Sequence, residues 1–161
     1  MRKANTSNPK IMIFTEGTIL GPKSFLGLYF HARYISIGRC IEKIRCWEEQ
    51  GAEIVYITSR KSEKQVGEIR NLLERYRFPG SQLYYRERKQ KYKDLVEQVM
   101  PDVLIEDDCR SIGGQWQMCI THVKPELKEI ITSIAVKEFK GIDHLPDLLT
   151  DLLIYNNRQE D

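Results

Sequence analysis

The feature that most limits what this chain can fold into is a series of short apolar runs separated by segments of helical period. Ile11–Phe14 is a continuous apolar run followed by the turn chemistry of Glu16-Gly17-Thr18, the pattern of a buried strand that ends in a loop. Ala52–Thr58 is apolar and β-branched and reads as a second buried strand, Leu83–Tyr85 as a third and Val103–Ile105 as a fourth. Between the first two, Ile37, Ile41, Ile44 and Trp47 recur at helical spacing, with Gly51 as the stop. Ser62 and Gln65 have the spacing of a capping box, and Val66, Ile69, Leu72, Leu73 and Tyr76 form the inner face of the helix that follows. Tyr92, Leu95, Val96 and Val99 line a third helix that ends before Pro101. Beyond it the chain offers two further strands, Cys119–Val123 and Ile131–Val136, around a short helix led by Pro125. A final amphipathic helix carries Leu145, Leu148, Leu149 and Leu152. Strands alternating with helices in this way predict an α/β fold: a three-layer, doubly wound and mainly parallel sheet with right-handed crossovers.

At 161 residues the chain has the length of one domain. The reading is an N-terminal extension over 1–10, a single domain over 11–155 and a frayed tail over 156–161. The formal charge is only +2, so there is no electrostatic case for nucleic acid or an anionic membrane as the main partner. The partner has to be argued from a site. Cys40, Cys46, Cys109 and Cys119 show no metal-ligand or CxxC spacing, and no apolar stretch reaches the length of a membrane helix. Both facts fit a reducing cytoplasm. His31, His122 and His144 are scattered, with no triad or zinc spacing.

Ligands of doubly wound sheets bind outside the carboxyl ends of the strands. Three clusters should therefore converge: Thr15, Glu16, Gly17 and Thr18 after strand one; Thr58, Ser59 and Arg60 after strand two; and Glu106, Asp107 and Asp108 after strand four. Carboxylates beside hydroxyls and a lysine suit a divalent cation together with a phosphate, because hard cations take oxygen ligands and phosphate oxygens take donors.

With these clusters in order, the chain from Ile11 to about Leu153 resembles the haloacid dehalogenase (HAD) superfamily. IMIFTEGTIL resembles the family's first motif, a strand followed by Asp-x-Asp-Gly-Thr-Leu. Gly17 and Thr18 match it, Glu16 replaces the second aspartate and Phe14 falls on the nucleophile. EIVYITSR resembles the second motif, whose hydroxyl holds the phosphate, which implies that role for Thr58 and then Ser59. DVLIEDD resembles the fourth motif, which implies Asp107 and Asp108 as holders of Mg2+, with the Glu16 backbone carbonyl as a further ligand. The third-motif lysine, which steadies phosphate charge, falls on Lys91 or Lys93. The resemblance implies a HAD-like Rossmannoid core. Only Ile19–Tyr34 is available for a flap, so no separate cap domain is expected. An uncapped site needs a macromolecule or a second copy of the chain to cover it, and Phe25, Leu26, Leu28, Tyr29 and Phe30 in the flap supply an apolar surface beside it.

A phenyl ring can neither attack phosphorus nor ligate a metal, so the ordinary aspartyl-phosphate chemistry is expected to be absent. By itself Phe14 reads as a core aromatic at a strand end. Glu16 could serve as a general acid or base only if another nucleophile existed, and a Thr15 hydroxyl would need an adjacent base. The basic run Arg86, Arg88, Lys89, Lys91, Lys93 reads as a solvated face. The resulting expectation is a HAD-like domain that binds a phosphorylated ligand or a protein partner. The alternative is a Mg2+-dependent phosphohydrolase using direct attack by water, with Glu16 as base.

Overall fold

The computed structural model describes residues 7–24, 33–80 and 82–157. The flap residues Phe25, Leu26, Leu28, Tyr29, Phe30 and His31, and the tail from 158 onward, lie outside the described residues.

The central strand is β1, Lys10–Phe14, because its neighbours on both sides shield it from water: Ile11, Met12 and Ile13 have no exposure at all. β4, Glu53–Ile57, pairs parallel along its whole length, from Lys10 opposite Glu53 to Phe14 opposite Ile57. β6, Val103–Asp107, pairs on the other side, with Ile11 opposite Val103. β5, Gln82–Tyr84, and β7, Thr132–Val136, extend the sheet to the order β5-β4-β1-β6-β7, and every pairing is parallel. The chain winds outward from β1 through β4 and β5, then returns to the opposite side as β6 and β7. The reversal between β1 and β6 is the switch point at which a crevice opens.

Alternate residues of each strand point to opposite faces, and two apolar layers result. Ile11, Ile13, Ile54, Tyr56, Val103 and Ile105 share one cluster with Ile44 and Trp47 of α1, Cys40–Glu49, and with Ile69 and Leu72 of α2, Glu63–Arg75. Met12, Phe14, Val55, Ile57 and Leu104 share the other with Leu95 and Val96 of α3, Tyr92–Val99. Each fully buried aliphatic side chain here contributes about 1.5–3 kcal/mol relative to exposure, so burial on both faces fixes the register. The Ser62 side chain caps α2 by accepting from the Gln65 amide at 3.3 Å.

Two expectations change. Cys119–Val123 is no strand: Cys119–His122 forms a one-turn helix, α4, after two short 3-10 turns at Arg110–Ile112 and Gly114–Gln117. The Glu106 carboxylate takes the Cys119 and Ile120 amides at 2.6 and 3.0 Å, which fixes the first turn at its positive end, and the place beside β6 belongs to β7. A second one-turn helix, α5, spans Pro125–Lys128. The final helix, α6, is also a single turn, Leu149–Leu152; Leu145, Leu149 and Leu152 are buried while Leu148 is exposed. Within the expected flap, β2, Leu20–Pro22, pairs antiparallel with β3, Tyr34–Ser36. Among the described residues no helix is long and apolar enough to cross a membrane.

Candidate functional site

β1 stops at Phe14, and the chain turns over Thr15: the amides of Thr18, Ile19 and Leu20 all donate to the Thr15 carbonyl, while Gly17 N–H donates to the Leu20 carbonyl at 2.9 Å. Gly17 has a φ of +83°, and a Cβ there would meet Asp107 Oδ1 at 2.8 Å. Only glycine lets this loop lie against the end of β6. The loop carries Glu16 toward the end of β4 and places the Gly17 backbone against the end of β6.

On the β4 side the Glu16 carboxylate is almost fully buried and accepts from four donors. Thr15 Oγ1 donates at 2.6 Å, Thr58 Oγ1 at 2.5 Å, the Ser59 amide at 3.3 Å and Arg60 Nε at 3.2 Å. The Arg60 amide in turn donates to Thr58 Oγ1 at 3.2 Å, so the whole of Thr58–Arg60 is organised around this carboxylate. Thr58 itself has no exposure.

Behind this cradle stands an aromatic and cationic wall. The Phe14 ring meets Tyr92 edge-on with centroids 5.5 Å apart. The Tyr92 hydroxyl donates to the Ser59 carbonyl at 3.3 Å, and burial pushes its pKa above the usual value. The Arg86 guanidinium lies over the Tyr92 ring at 3.8 Å, and its Nε is buried with no hydrogen-bond partner. A buried donor left open in this way is a place for an acceptor to arrive.

On the β6–β7 side the residues are acids. Asp107 is 8% exposed and accepts from the Cys109 amide at 3.1 Å and, at 3.4 Å, from Thr18 Oγ1. Asp108 accepts from the Arg110 and Glu138 amides, and Glu138 from the amide and hydroxyl of Ser111. Asp107, Asp108 and Glu138 each offer a carboxylate oxygen within 4.8 Å of the others. Burial, and then the neighbouring carboxylates, raise the Asp107 pKa despite the Cys109 amide, and a cation would relieve that cost. The donor set is all oxygen and suits a hard divalent ion. Glu106 is buried beside it, and burial pushes its pKa up to about 7 against the opposing pull of the Ile120 and Cys119 amides.

Both sides open into one cavity of about 410 Å³, lined by Phe14, Glu16 and Tyr92, by Arg60 and Arg86, and by Asp107 and Glu138, among others. Ser59 also lines it, and Thr58 lies beneath Glu16. Lys91 and Lys93 do not line it: Lys91 is the exposed residue before α3 and Lys93 lies 3.9 Å from Asp94. Among the described residues, the cations that line the cavity are Arg60 and Arg86. Arg86 belongs to the run that sequence pattern assigns to a solvated face, and nothing in its charge pattern distinguishes it. Glu138 lies two residues past β7, so the strand-end rule, applied to the Ile131–Val136 strand as well, finds it.

Solved structures share this architecture. A chain of the Pnkp1/Rnl/Hen1 RNA repair complex superposes with a TM-score of 0.58 at 15% identity, over 84% of the present chain and 45% of that one. The class C acid phosphatase from Bacillus anthracis, with tungstate bound, does so with a TM-score of 0.58 at 15% identity, over 86% of this chain and 70% of that one. The shared core is a Rossmann-like α/β sheet flanked by helices. At this identity the likeness is one of fold, and the present chain spans less than half of the RNA repair chain it matches. No protein-family model matches the sequence, and no curated protein matches it.

Proposed function

We propose that this HAD-like domain binds an anionic, phosphate-bearing ligand or a phosphorylated protein partner and does not form an aspartyl phosphate. The observation that carries the reading is Phe14. At the carboxyl end of the central strand, facing the cavity, there is a benzene ring packed edge-on against Tyr92. A group with no lone pair can neither attack phosphorus nor ligate Mg2+. The rest of the cavity is suited to recognition: the open Nε of Arg86 and the Arg60 guanidinium supply donors, and Tyr92 and Phe14 supply apolar walls. Asp107, Asp108 and Glu138 would hold Mg2+, whose charge would offset that of a phosphate group nearby. The Glu16 backbone carbonyl is a further candidate ligand by the family resemblance.

We read the domain as capless and cytoplasmic, so that the partner itself, or a second copy of the chain, covers the cavity. Glu16 does not act as general base here, because its carboxylate is committed to the four donors around it.

The acid cluster supports one second reading, a phosphohydrolase in which Mg2+ and a water replace the covalent step. Phosphatase activity of the wild type, Asp107→Asn and Asp108→Asn on a broad phosphomonoester panel, with and without Mg2+, separates the two. The expected result is no turnover by the wild type above either variant. Mg2+-dependent turnover that disappears in both variants would sink the binding reading.

A further inference from the structure

The donors around Glu16 have a chemistry of their own. Two hydroxyls, one backbone amide and one guanidinium N–H converge from Thr15, Thr58, Ser59 and Arg60 on a point at the carboxyl end of β4. That set is made for an oxyanion: every member donates, one is cationic, and Thr58 is fully buried beneath the site. What occupies the point is the carboxylate of Glu16, whose side chain is itself more than nine-tenths buried. The carboxylate is therefore a stand-in anion supplied by the chain.

We propose that the Thr58–Ser59–Arg60 cradle is a tetrahedral-oxyanion site that Glu16 keeps shut, and that a phosphate group enters it only by displacing the Glu16 carboxylate. The proposal rests on the reading that the cavity takes a phosphate-bearing ligand, and it adds how that ligand is admitted. Two anions cannot share the cradle, because like charges at hydrogen-bond distance repel strongly in a site with little water. The competition favours Glu16, which is tethered one residue from Thr15 and two from Phe14 at the buried end of the central strand. A tethered group has an effective concentration in the millimolar range or above, and little further freedom is lost when it binds. Free phosphate at ordinary concentrations is accordingly excluded. A ligand that also meets Arg86, on the same cavity wall, gains a second anchor and can displace the carboxylate. The device selects for ligands that are more than a phosphate ion.

Titration of inorganic phosphate into the full chain, followed by calorimetry, tests this on four forms besides the wild type: Glu16→Ala, Glu16→Gln, Glu16→Ala with Thr58→Val, and Arg86→Gln. The cradle predicts a gain in phosphate affinity of about tenfold or more for Glu16→Ala, a smaller gain for Glu16→Gln, and return to wild-type affinity when Thr58→Val is added. Glu16→Gln keeps the shape and the contacts with the hydroxyls, so it decides the matter even if Glu16→Ala fails to fold. Equal affinity in the wild type and in both Glu16 variants overturns the proposal, as does a gain that survives Thr58→Val. Should the wild type bind phosphate in a manner lost in Arg86→Gln yet indifferent to Glu16, the shut cradle falls and the wider reading of the cavity stands. Absence of binding by every form overturns both.

Discussion

On the β4 side of the cavity one carboxylate, Glu16, is met by four donors, two of them hydroxyls and one a guanidinium. On the β6–β7 side three carboxylates come within 4.8 Å of one another and accept from backbone amides and hydroxyls. The first half is electrostatically complete as it stands. The second carries like charges at close quarters, with its most buried member, Asp107, pushed up in pKa, and so gains from a cation. The same fold therefore presents two polar surfaces in opposite conditions, one filled by the chain itself and one with a use for something from outside.

The largest expected effect comes at the joint between the halves. Gly17→Ala puts a Cβ against Asp107 at a positive φ, and a loss of about 2–3 kcal/mol is expected from the strained backbone and the contact. Urea unfolding measures it, and an unchanged midpoint would mean that the loop does not lie against β6. Next, Thr58→Val is nearly isosteric and removes the shortest donor to Glu16. Leaving the buried carboxylate one partner short should lower stability by about 1–2 kcal/mol. If the variant is as stable as the wild type, the β4 half is less complete than described.

The remaining effect is one of pH, on the acid side. Glu106 has a folded pKa of about 7 against an ordinary 4.5, so the folded protein binds the proton more tightly than the unfolded chain. The cost of ionising Glu106 is absent below about pH 4.5, grows between there and about 7, and is constant above. In chelator, the stability difference between the wild type and Glu106→Gln should move in favour of the variant as pH rises from 5 to 8, by on the order of 2–3 kcal/mol. A difference that is flat over that range would show the carboxylate to be ionised throughout and better solvated than its burial implies.

Much of the sheet could be read from the chain because its strands are buried on both faces. Ile11–Phe14 and Ala52–Thr58 carry little alternation, as a central parallel strand requires, and the expected helix faces at Ile44 and Trp47 and at Val66, Ile69 and Leu72 are buried. Cys119–Val123 is too short for its apolar residues to separate a strand from a helical turn, and the deciding partner, the Glu106 carboxylate, is thirteen residues earlier. The resemblance places a phosphate-steadying cation at Lys91 or Lys93, whereas the residue of that basic run that lines the cavity is Arg86. Which basic side chain of that run turns inward depends on the stacking of Arg86 over Tyr92, a contact for which sequence spacing carries no signal.

The sequence by itself determined the α/β class and the three strand ends at which polar residues gather, since these follow from local composition and periodicity. Tertiary structure alone decided that Glu16 turns toward Thr58 and Arg60, forty-two and forty-four residues away, and that Glu138 joins Asp107 and Asp108. A carboxylate's partners are set by which strands lie side by side, and parallel pairing joins residues that are far apart in the chain.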